Sequence, residues 1–386
     1  AAVFDFTVAS GGQEVGVSGR FADGLLRAEL ASGDGAPTEV EIPIDDPLAF
    51  ASGSLGNLVA LPTCEPGERY RLDAFDPLTL QASEARVTCG ERETITVAGV
   101  DREAQQVRLE TGGVETEAWL DEAGMMLRAR TPFGLVLEAL DMDPTLASDE
   151  STAIDGSTAG DGRAAAGLLA RTAVKPSGER PFRGASRIVL SASGVERPLP
   201  VDDHQRVTAN GFTLVHGVPG GGCAPRPEHL AAEPFVESDH PRIQEQARQI
   251  VGDATERSEQ ARLLYEWVWG TLEKTPVLGL PSAIEVLDDG RGDCNEHTVL
   301  YTALARAVEL PTRIAVGLVW SDDLDGFYYH AWPEVCVEAG WQRMDPTLGQ
   351  EIADATHIKI LEGGIARWPQ LVPYIGRLAI EIDAIE

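Results

Sequence analysis

Three side chains with the chemistry of a nucleophile, a base and an orienting acid follow one another late in the chain: Cys294, His330 and Asp345. A thiolate can attack a carbonyl, and a histidine can take the thiol proton near neutral pH. A carboxylate bonded to that histidine fixes its tautomer. The set is that of thiol acyl transfer, and it works only if the surrounding elements bring the three together.

Cys294 stands at the predicted start of a helix. Apolar residues recur at helical spacing over 299–307. Asp293 is a good N-cap, and Glu296 three residues later completes a capping-box pair. Free backbone N–H groups and the helix dipole stabilise a thiolate at this position, so the pattern predicts a lowered pKa for the Cys294 thiol. The same N–H groups can receive an oxyanion. The alternative, a buried structural cysteine, more naturally lies in the middle of a helix.

His330 and Asp345 fall on two consecutive predicted strands, within 327–337 and 340–345. If the turn between them has two residues, Asp345 lies opposite Trp332 and diagonal to His330 on the same face. Diagonal neighbours are ~7–8 Å apart, which allows an Asp–His hydrogen bond. A three-residue turn without a bulge would move Asp345 to the other face.

Three sequence blocks carry a family resemblance. They are GDCNEH at 292–297, YHAWPEV at 329–335 and WQRMDPT at 341–347. These blocks resemble the core of the transglutaminase-like superfamily, in which they supply a catalytic Cys, His and Asp on a papain-like α+β fold. The resemblance covers roughly residues 240 to 360 and maps the three roles onto Cys294, His330 and Asp345. It implies attack on an amide or peptide carbonyl, for which glutamine and isopeptide carbonyls are candidates.

The neighbours of Cys294 depart from the animal transglutaminases, which carry Gln before the cysteine and Trp-Val after it. Here Asp293 precedes it and Asn295-Glu296 follow, as in bacterial transglutaminase-like and protease-like members. The acyl acceptor therefore stays open. An amine would make the protein a transamidase, and water would make it a cysteine peptidase or amidase. A third hypothesis is a non-catalytic binding module that uses the β-rich regions.

Tyr329 and Trp332 flank His330 and are predicted as substrate-binding walls, with simple packing as the alternative. His297, one turn into the helix, is an alternative base, although a packing or solvent role is favoured. The acidic run at 322–325 lacks the spacing of an EF-hand, which favours a solvated loop. Neither a metal nor a cofactor is predicted.

The 386 residues are enough for two or three domains. Short alternating runs over 1–142 predict an antiparallel β-rich domain, a meander or a partly open barrel. Residues 143–238 combine a polar linker at 143–162 with a small β-rich region. Residues 239–386 predict the catalytic domain. The predicted fold class is thus α+β, with a C-terminal papain-like, transglutaminase-like core preceded by antiparallel β-rich domains.

The charge balance restricts the partners. With 62 acidic and 31 basic side chains, the net charge is −31. Such a surface repels phosphate backbones, so nucleic acid is excluded as a partner. No stretch approaches the ~18 apolar residues of a membrane span. A protein or peptide substrate is the predicted partner, and the sequence leaves the oligomeric state open.

The five cysteines are too few for a disulfide scaffold, and their odd number leaves at least one thiol unpaired. Cys64 and Cys89 flank a β-rich insert and are candidates to pair in an exported protein, and the sequence leaves this disulfide open. The chain begins Ala-Ala-Val without Met, which predicts a mature or trimmed form. Together with the acidic surface and frequent export of bacterial relatives, this favours a periplasmic or secreted protein, with the cytoplasm as the alternative.

Overall fold

The computed structural model describes the chain in segments. The described residues are 2–10, 13–32, 38–44, 49–51, 59–62, 64–76, 81–97, 99–111, 114–130, 136–139, 173–195, 198–208, 211–217, 222–233, 235–275, 282–364, 367, 370–371, 374 and 376–386. The predicted linker at 143–162 lies outside them.

The chain divides into two compact units. The first comprises Ala1–Asp155 and Ile365–Pro373, and the second comprises Gly156–Gly364 and Tyr374–Glu386. The domain boundaries proposed from the sequence, at 142 and 238, stay a prediction. No helix in the described segments is both long and apolar enough to cross a membrane.

The first unit is built from mostly antiparallel strands. They are β1 (Ala2–Ser10), β2 (Gln13–Ala22), β3 (Leu25–Ser32), β4 (Thr38–Pro43), β5 (Ala49–Ala51), β6 (Val59–Ala60), β7 (Arg69–Asp76), β8 (Gln81–Val97), β9 (Val100–Thr111), β10 (Val114–Leu120), β11 (Met126–Arg130) and β12 (Val136–Glu138). Strands β1 to β4 form one sheet in sequence order. The second sheet has the order β12-β11-β10-β9-β8-β7-β5-β6. The predicted meander is thus present in β8 to β12.

The alternation that predicted these strands also builds their core. In β9, Val107 and Leu109 are buried, while Arg108 and Glu110, which follow them in turn, are exposed. The period of two directs one face of the strand to the core and the other to solvent. The strands are longer than the short apolar runs suggested, because polar residues continue the pairing on the solvent side.

The second unit mixes helices and strands. Its helices are α1 (Pro241–Val251), α2 (Arg257–Thr271), α3 (Ala283–Asp289) and α4 (Cys294–Ala307), and a 3₁₀ turn covers Pro227–His229. Its strands are β13 (Ser177–Gly178), β14 (Arg187–Ser193), β15 (Gln205–Thr208), β16 (Gly211–Val215), β17 (Glu273–Lys274), β18 (Arg291–Gly292), β19 (Thr312–Ser321), β20 (Gly326–Val337), β21 (Gly340–Arg343), β22 (Ile358–Glu362) and β23 (Ala379–Ile385).

The central sheet of this unit has the order β21-β20-β19-β22, and α4 packs against β20 and β19. A second sheet has the order β13-β23-β14-β16-β15, and β17 pairs with β18. The fold is therefore α+β, with the helical core in the C-terminal region and β-rich segments before it. Helix α4 is buried from Glu296 to Arg306, so its position on the sheet is fixed by packing along its whole length.

Candidate active site

The N-terminus of α4 has the predicted cap. The Asn295 amide donates to Asp293 Oδ1 at 2.9 Å, and the Asp293 amide donates to Glu296 Oε2 at 2.8 Å. This reciprocal pair confirms the capping box and makes Cys294 the first helical residue. Gly292 is required just before it, because a Cβ there would lie 2.2 Å from the Cβ of Glu296.

Cys294 is the free thiol among the five cysteines, all of which are described. Cys64 pairs with Cys89, and Cys223 pairs with Cys336. The Cys64–Cys89 bridge agrees with the sequence interpretation. The second bridge was not foreseen, because its partners are 113 residues apart and nothing in their spacing links them.

The prediction of a lowered pKa for the Cys294 thiol is wrong. Burial raises this pKa most, and the Asp293 carboxylate raises it further, while a hydrogen bond from the Ala331 backbone opposes them only in part. Glu296 adds to the upward shift. The acidic cap that marks the helix start thus also puts negative charge beside the sulfur. This charge and the loss of solvation act against the helix dipole, which is worth at most ~2 kcal/mol.

His330 and Asp345 meet as predicted. The turn after β20 has two residues, since Val337 pairs with Gly340. His330 Nε2 donates to Asp345 Oδ2 at 2.8 Å, and both side chains are buried. His330 Nδ1 is buried and has no hydrogen-bond partner among the described residues. Because Nε2 carries the proton, Nδ1 is left as the basic nitrogen.

Asp345 is held from both sides. Its Oδ1 accepts the backbone amides of Thr347 at 2.9 Å and Leu348 at 2.8 Å. Its Oδ2 accepts from His330 and also from His357 Nε2 at 3.0 Å. Burial alone raises the pKa of this carboxyl, but the two histidines outweigh it and hold the pKa well below its usual range. Asp345 is therefore an ionised, fully bonded carboxylate.

His357 is a member of this cluster that the sequence analysis missed. It is fully buried and directly precedes β22, which pairs with β19. The path from Asp345 to His357 is irregular, so no periodic pattern predicts the contact. The alternating Ile358 and Ile360 were the available signal, since they mark a further strand that returns the chain to the central sheet.

Two histidines and one carboxylate grouped within 4.8 Å also occur at metal sites. In this protein both histidine nitrogens that face Asp345 already donate to it. We therefore interpret His330, Asp345 and His357 as a hydrogen-bonded cluster rather than as ligands of an ion.

The aromatic neighbours of His330 divide by strand face. Trp332 is buried on the same face, and its ring stacks with His330 at a centroid distance of 6.2 Å. Tyr329 occupies the alternate position and so points to the other face, with its hydroxyl buried. Tyr328, not Tyr329, shares the face of His330, with a ring distance of 5.7 Å. The structure thus brings Trp332 and Tyr328 to the site and does not bring Tyr329.

The alternative base, His297, lies on the first turn of α4, three residues after Cys294. His297 is fully buried, and its Nδ1 is 2.7 Å from the backbone oxygen of Asp293. Burial lowers its pKa. Its burial agrees with a packing role and not with a solvent role, and its Nε2 is buried without a hydrogen-bond partner among the described residues. In the acidic loop, Asp322 and Asp325 are exposed and lie 3.6 and 3.0 Å from Arg180.

A buried ionic cluster continues the same face of β20 beyond Trp332. Glu334 is fully buried. Three cations contact its carboxylate: Lys359 at 2.6 Å, Arg313 at 2.7 Å and Arg343 at 3.2 Å. Burial raises the pKa of Glu334, but the three cations outweigh it and hold the pKa well below its usual range. The cluster ties β20 to β19, β21 and β22 beside the site.

Comparison with known proteins finds one family match. Residues 244–346 match the model of the transglutaminase-like superfamily, so this segment of the chain is similar to the core of that superfamily. The matched range contains Cys294, His330 and Asp345 and ends just before Thr347. A search of curated proteins found no match.

Solved structures show only distant similarity. A candidate cysteine protease from Cytophaga hutchinsonii is 15% identical over 55% of this chain and 83% of its own, with a TM-score of 0.32. The periplasmic domain of TgpA from Pseudomonas aeruginosa, bound to ethylmercury, is 14% identical over 49% of this chain and 94% of its own, with a TM-score of 0.30. A candidate protease from Parabacteroides distasonis is 11% identical over 68% of this chain and 63% of its own, with a TM-score of 0.24. Similarities of this size say nothing about activity.

Proposed function

We propose that the protein is a thiol acyl-transfer enzyme that acts on amide or peptide carbonyls. Cys294 is the nucleophile, His330 the base and Asp345 the orienting acid. The observation that carries the proposal is His330, whose Nε2 is bonded to a buried carboxylate while its Nδ1 has no partner among the described residues. The backbone of Ala331, the next residue on β20, is close enough to Cys294 to lower the pKa of its thiol, although burial and nearby carboxylates raise that pKa more. The transglutaminase-like core supports a cysteine-dependent enzyme.

The reaction begins from a neutral thiol, because the pKa of Cys294 is raised. His330 Nδ1 takes the thiol proton as the sulfur attacks the carbonyl carbon, and Asp345 stabilises the imidazolium that forms. The helix cap occupies the amide of Asn295, so we assign the amide of Cys294 to the oxyanion. When the tetrahedral intermediate collapses, His330 returns the proton to the leaving amine and a thioester remains on Cys294.

The thioester is resolved by water or by an amine, and His330 activates either acceptor in the same way. Trp332 and Tyr328 enclose the base on its own face of the sheet. We propose acyl transfer as the function and leave the acceptor to the test, since hydrolysis and transamidation share every step up to the thioester.

The test uses a glutamine-containing peptide and unlabelled casein as acyl donors, with and without a labelled primary amine. Acid quenching and peptide mapping should find an acyl adduct on Cys294. Ammonia or new N-termini without amine incorporation would assign hydrolysis, and labelled product would assign transamidation. Cys294→Ala is the matched control. If wild type and Cys294→Ala gave the same background and no adduct formed, the binding-module hypothesis would replace this one.

We also propose that the protein works outside the cytoplasm, in the periplasm or in the medium. The two disulfides support this location, because such bonds persist in oxidising compartments and are rare in the cytosol. Mass analysis of protein taken directly from cell fractions tests it. Fully reduced cysteines in the native fraction would contradict it.

A further inference from the structure

We infer that His357 is a positioning residue of the proposed active site: a protonated imidazolium that holds Asp345 and, through Asp345, the ring of His330. The inference rests on the proposed function for its catalytic consequence. The charge state of His357 follows from its hydrogen-bond partners alone.

Both ring nitrogens of His357 face groups that can only accept hydrogen bonds. Nε2 lies 3.0 Å from Asp345 Oδ2. Nδ1 lies 3.1 Å from the backbone oxygen of Asp354 and 3.3 Å from its Oδ1. A neutral imidazole has one N–H and one lone pair, so it would turn a lone pair toward an acceptor on one side. Only the protonated ring satisfies both sides.

The acceptors are themselves ionised. Asp345 receives four donors and has no oxygen free to carry a proton, as described above. Asp354 is similar, since its Oδ2 accepts the Gly184 amide at 2.8 Å and Gln350 Nε2 at 2.6 Å. Its Oδ1 accepts the amide of Thr356 at 2.9 Å.

The elements packed around His357 supply the remaining charges. Arg183 lies 3.4 Å from Asp354 Oδ2, and Arg343 donates to the backbone oxygen of His357 at 3.1 Å. From β20, the His330 ring is 5.9 Å and the Trp332 ring 5.1 Å from the His357 ring. Arg343 is itself paired with Glu334. Two carboxylates thus flank His357, and they are balanced by the imidazolium and Arg183 when His330 is neutral.

The direction of the His357 pKa agrees with this charge count. Burial lowers the pKa, but the hydrogen bonds to Asp345 and Asp354 and the charges of those carboxylates outweigh it, so the net shift is upward. A buried histidine without such partners shows the contrast, since burial and Arg343 lower the pKa of His204 to about 4.

A charged His357 has a consequence for the base. It shares Asp345 Oδ2 with His330, so a second imidazolium at His330 would form 5.9 Å from the first. Like charges at this distance repel each other, so the charge on His357 opposes a second positive charge on its neighbour.

The first experiment measures the two charge states without any turnover. Protein labelled with ¹⁵N-histidine in a Cys294→Ala background has seven histidines, and single variants assign His330 and His357. The ¹⁵N shifts of His357 should be those of an imidazolium at pH 7. A neutral tautomer at His357 would overturn the inference whatever the later substitutions of His357 show.

The second experiment removes the charge and keeps the donor. In His357→Gln, the amide can still donate to Asp345, and the midpoint of the acid limb of kcat/KM should move to higher pH by about 1–2 pH units. The control is His204→Gln, because His204 is an equally buried histidine whose Nε2 contacts the Trp341 backbone oxygen at 2.7 Å. It should leave the midpoint within about 0.3 unit. An unmoved midpoint in His357→Gln would reduce His357 to a structural role.

The third experiment connects the charge to catalysis. With an acyl donor that is turned over, His357→Leu should lose at least about tenfold in kcat/KM, since the hydrogen-bond donor is gone, and His357→Gln should recover part of that loss. Equal losses in both variants with an unshifted limb would contradict the inference. Absence of turnover in the wild type would count against the proposed function only, since the charge states are measured separately.

Discussion

At the scale of single residues, Asp345 combines two tasks. It orients His330, and it also closes the loop that follows β21, because its Oδ1 accepts the amides of Thr347 and Leu348. An orienting carboxylate could be replaced with a moderate loss of rate. A buried acceptor for four donors cannot be removed without a loss of stability as well.

Alanine substitutions of the three proposed catalytic residues should therefore differ in their effects on activity and stability. Cys294→Ala should abolish turnover and preserve folding, and His330→Ala should lose nearly as much activity. Asp345→Ala should retain about 10–100-fold more activity than Cys294→Ala, because it orients rather than reacts. It should also lower the free energy of unfolding by about 3–5 kcal/mol, since buried partners are left unpaired. The measurements are kcat/KM and chemical unfolding of each variant.

Two outcomes would contradict this order. Folded Cys294→Ala with retained activity would remove the nucleophile from the proposal. His297→Ala with a loss equal to that of His330→Ala would show that the wrong histidine was assigned as base.

The raised thiol pKa has its own test. Asp293→Asn preserves a good N-cap while it removes the charge that, after burial, contributes most to the shift. The pH profile of Cys294 alkylation by iodoacetamide should then move to lower pH, measured in a His330→Ala background so that the base does not contribute. An exposed substitution such as Asp288→Asn is the control. A profile that moves to higher pH would show that the cap stabilises the thiolate after all.

At the scale of elements, the sequence predicted the features that depend on residues close together in the chain. The start of α4 followed from Asp293 and Glu296, three residues apart, and the Asp345–His330 bond followed from one two-residue turn. His357 was missed because its contact depends on the return of β22 to the far side of β19. The sign of the Cys294 pKa was missed because burial is a property of the packed helix, which a sequence pattern does not report.

The hairpin β20–β21 and its neighbours should depend on Glu334. In Glu334→Gln, Lys359, Arg343 and Arg313 each lose one of their carboxylate partners, and the first two are buried. We expect about 3–5 kcal/mol less free energy of unfolding at pH 7. Asp288→Asn, in an exposed pair with Arg242, should change it little. Urea unfolding measures both variants, and equal small losses would show that the cluster contributes no net stability.

The same residue gives a pH dependence with a definite sign. The pKa of Glu334 is depressed in the folded protein, so its stabilisation is complete above the unfolded value, ~4.3, and is lost as the pH falls below it. Wild type should therefore lose stability from about pH 4 downward. Glu334→Gln should lose less over that range, although the depressed pKa of Asp345 leaves it some dependence. Parallel curves for the two proteins would contradict the assignment.

At the scale of the whole molecule, the two disulfides belong to different units. Cys64–Cys89 lies in the first unit and spans 25 residues, while Cys223–Cys336 lies in the second and spans 113. Cys336 is on β20, the strand that carries His330. The Cys223–Cys336 bridge therefore joins the segment before α1 to the proposed catalytic strand β20. The Cys64–Cys89 bridge does not involve this strand.

Removing each bridge should therefore have distinct effects. The paired Cys→Ser variants at 64 and 89 and at 223 and 336 should each lose about 3–5 kcal/mol of unfolding free energy. Only the second pair should also lower kcat/KM and slow the alkylation of Cys294. Before reduction, the denatured wild type should take up one alkyl group, and after reduction five, because Cys294 is the free thiol. Loss of activity from the first pair alone, or uptake of more than one group before reduction, would overturn this division.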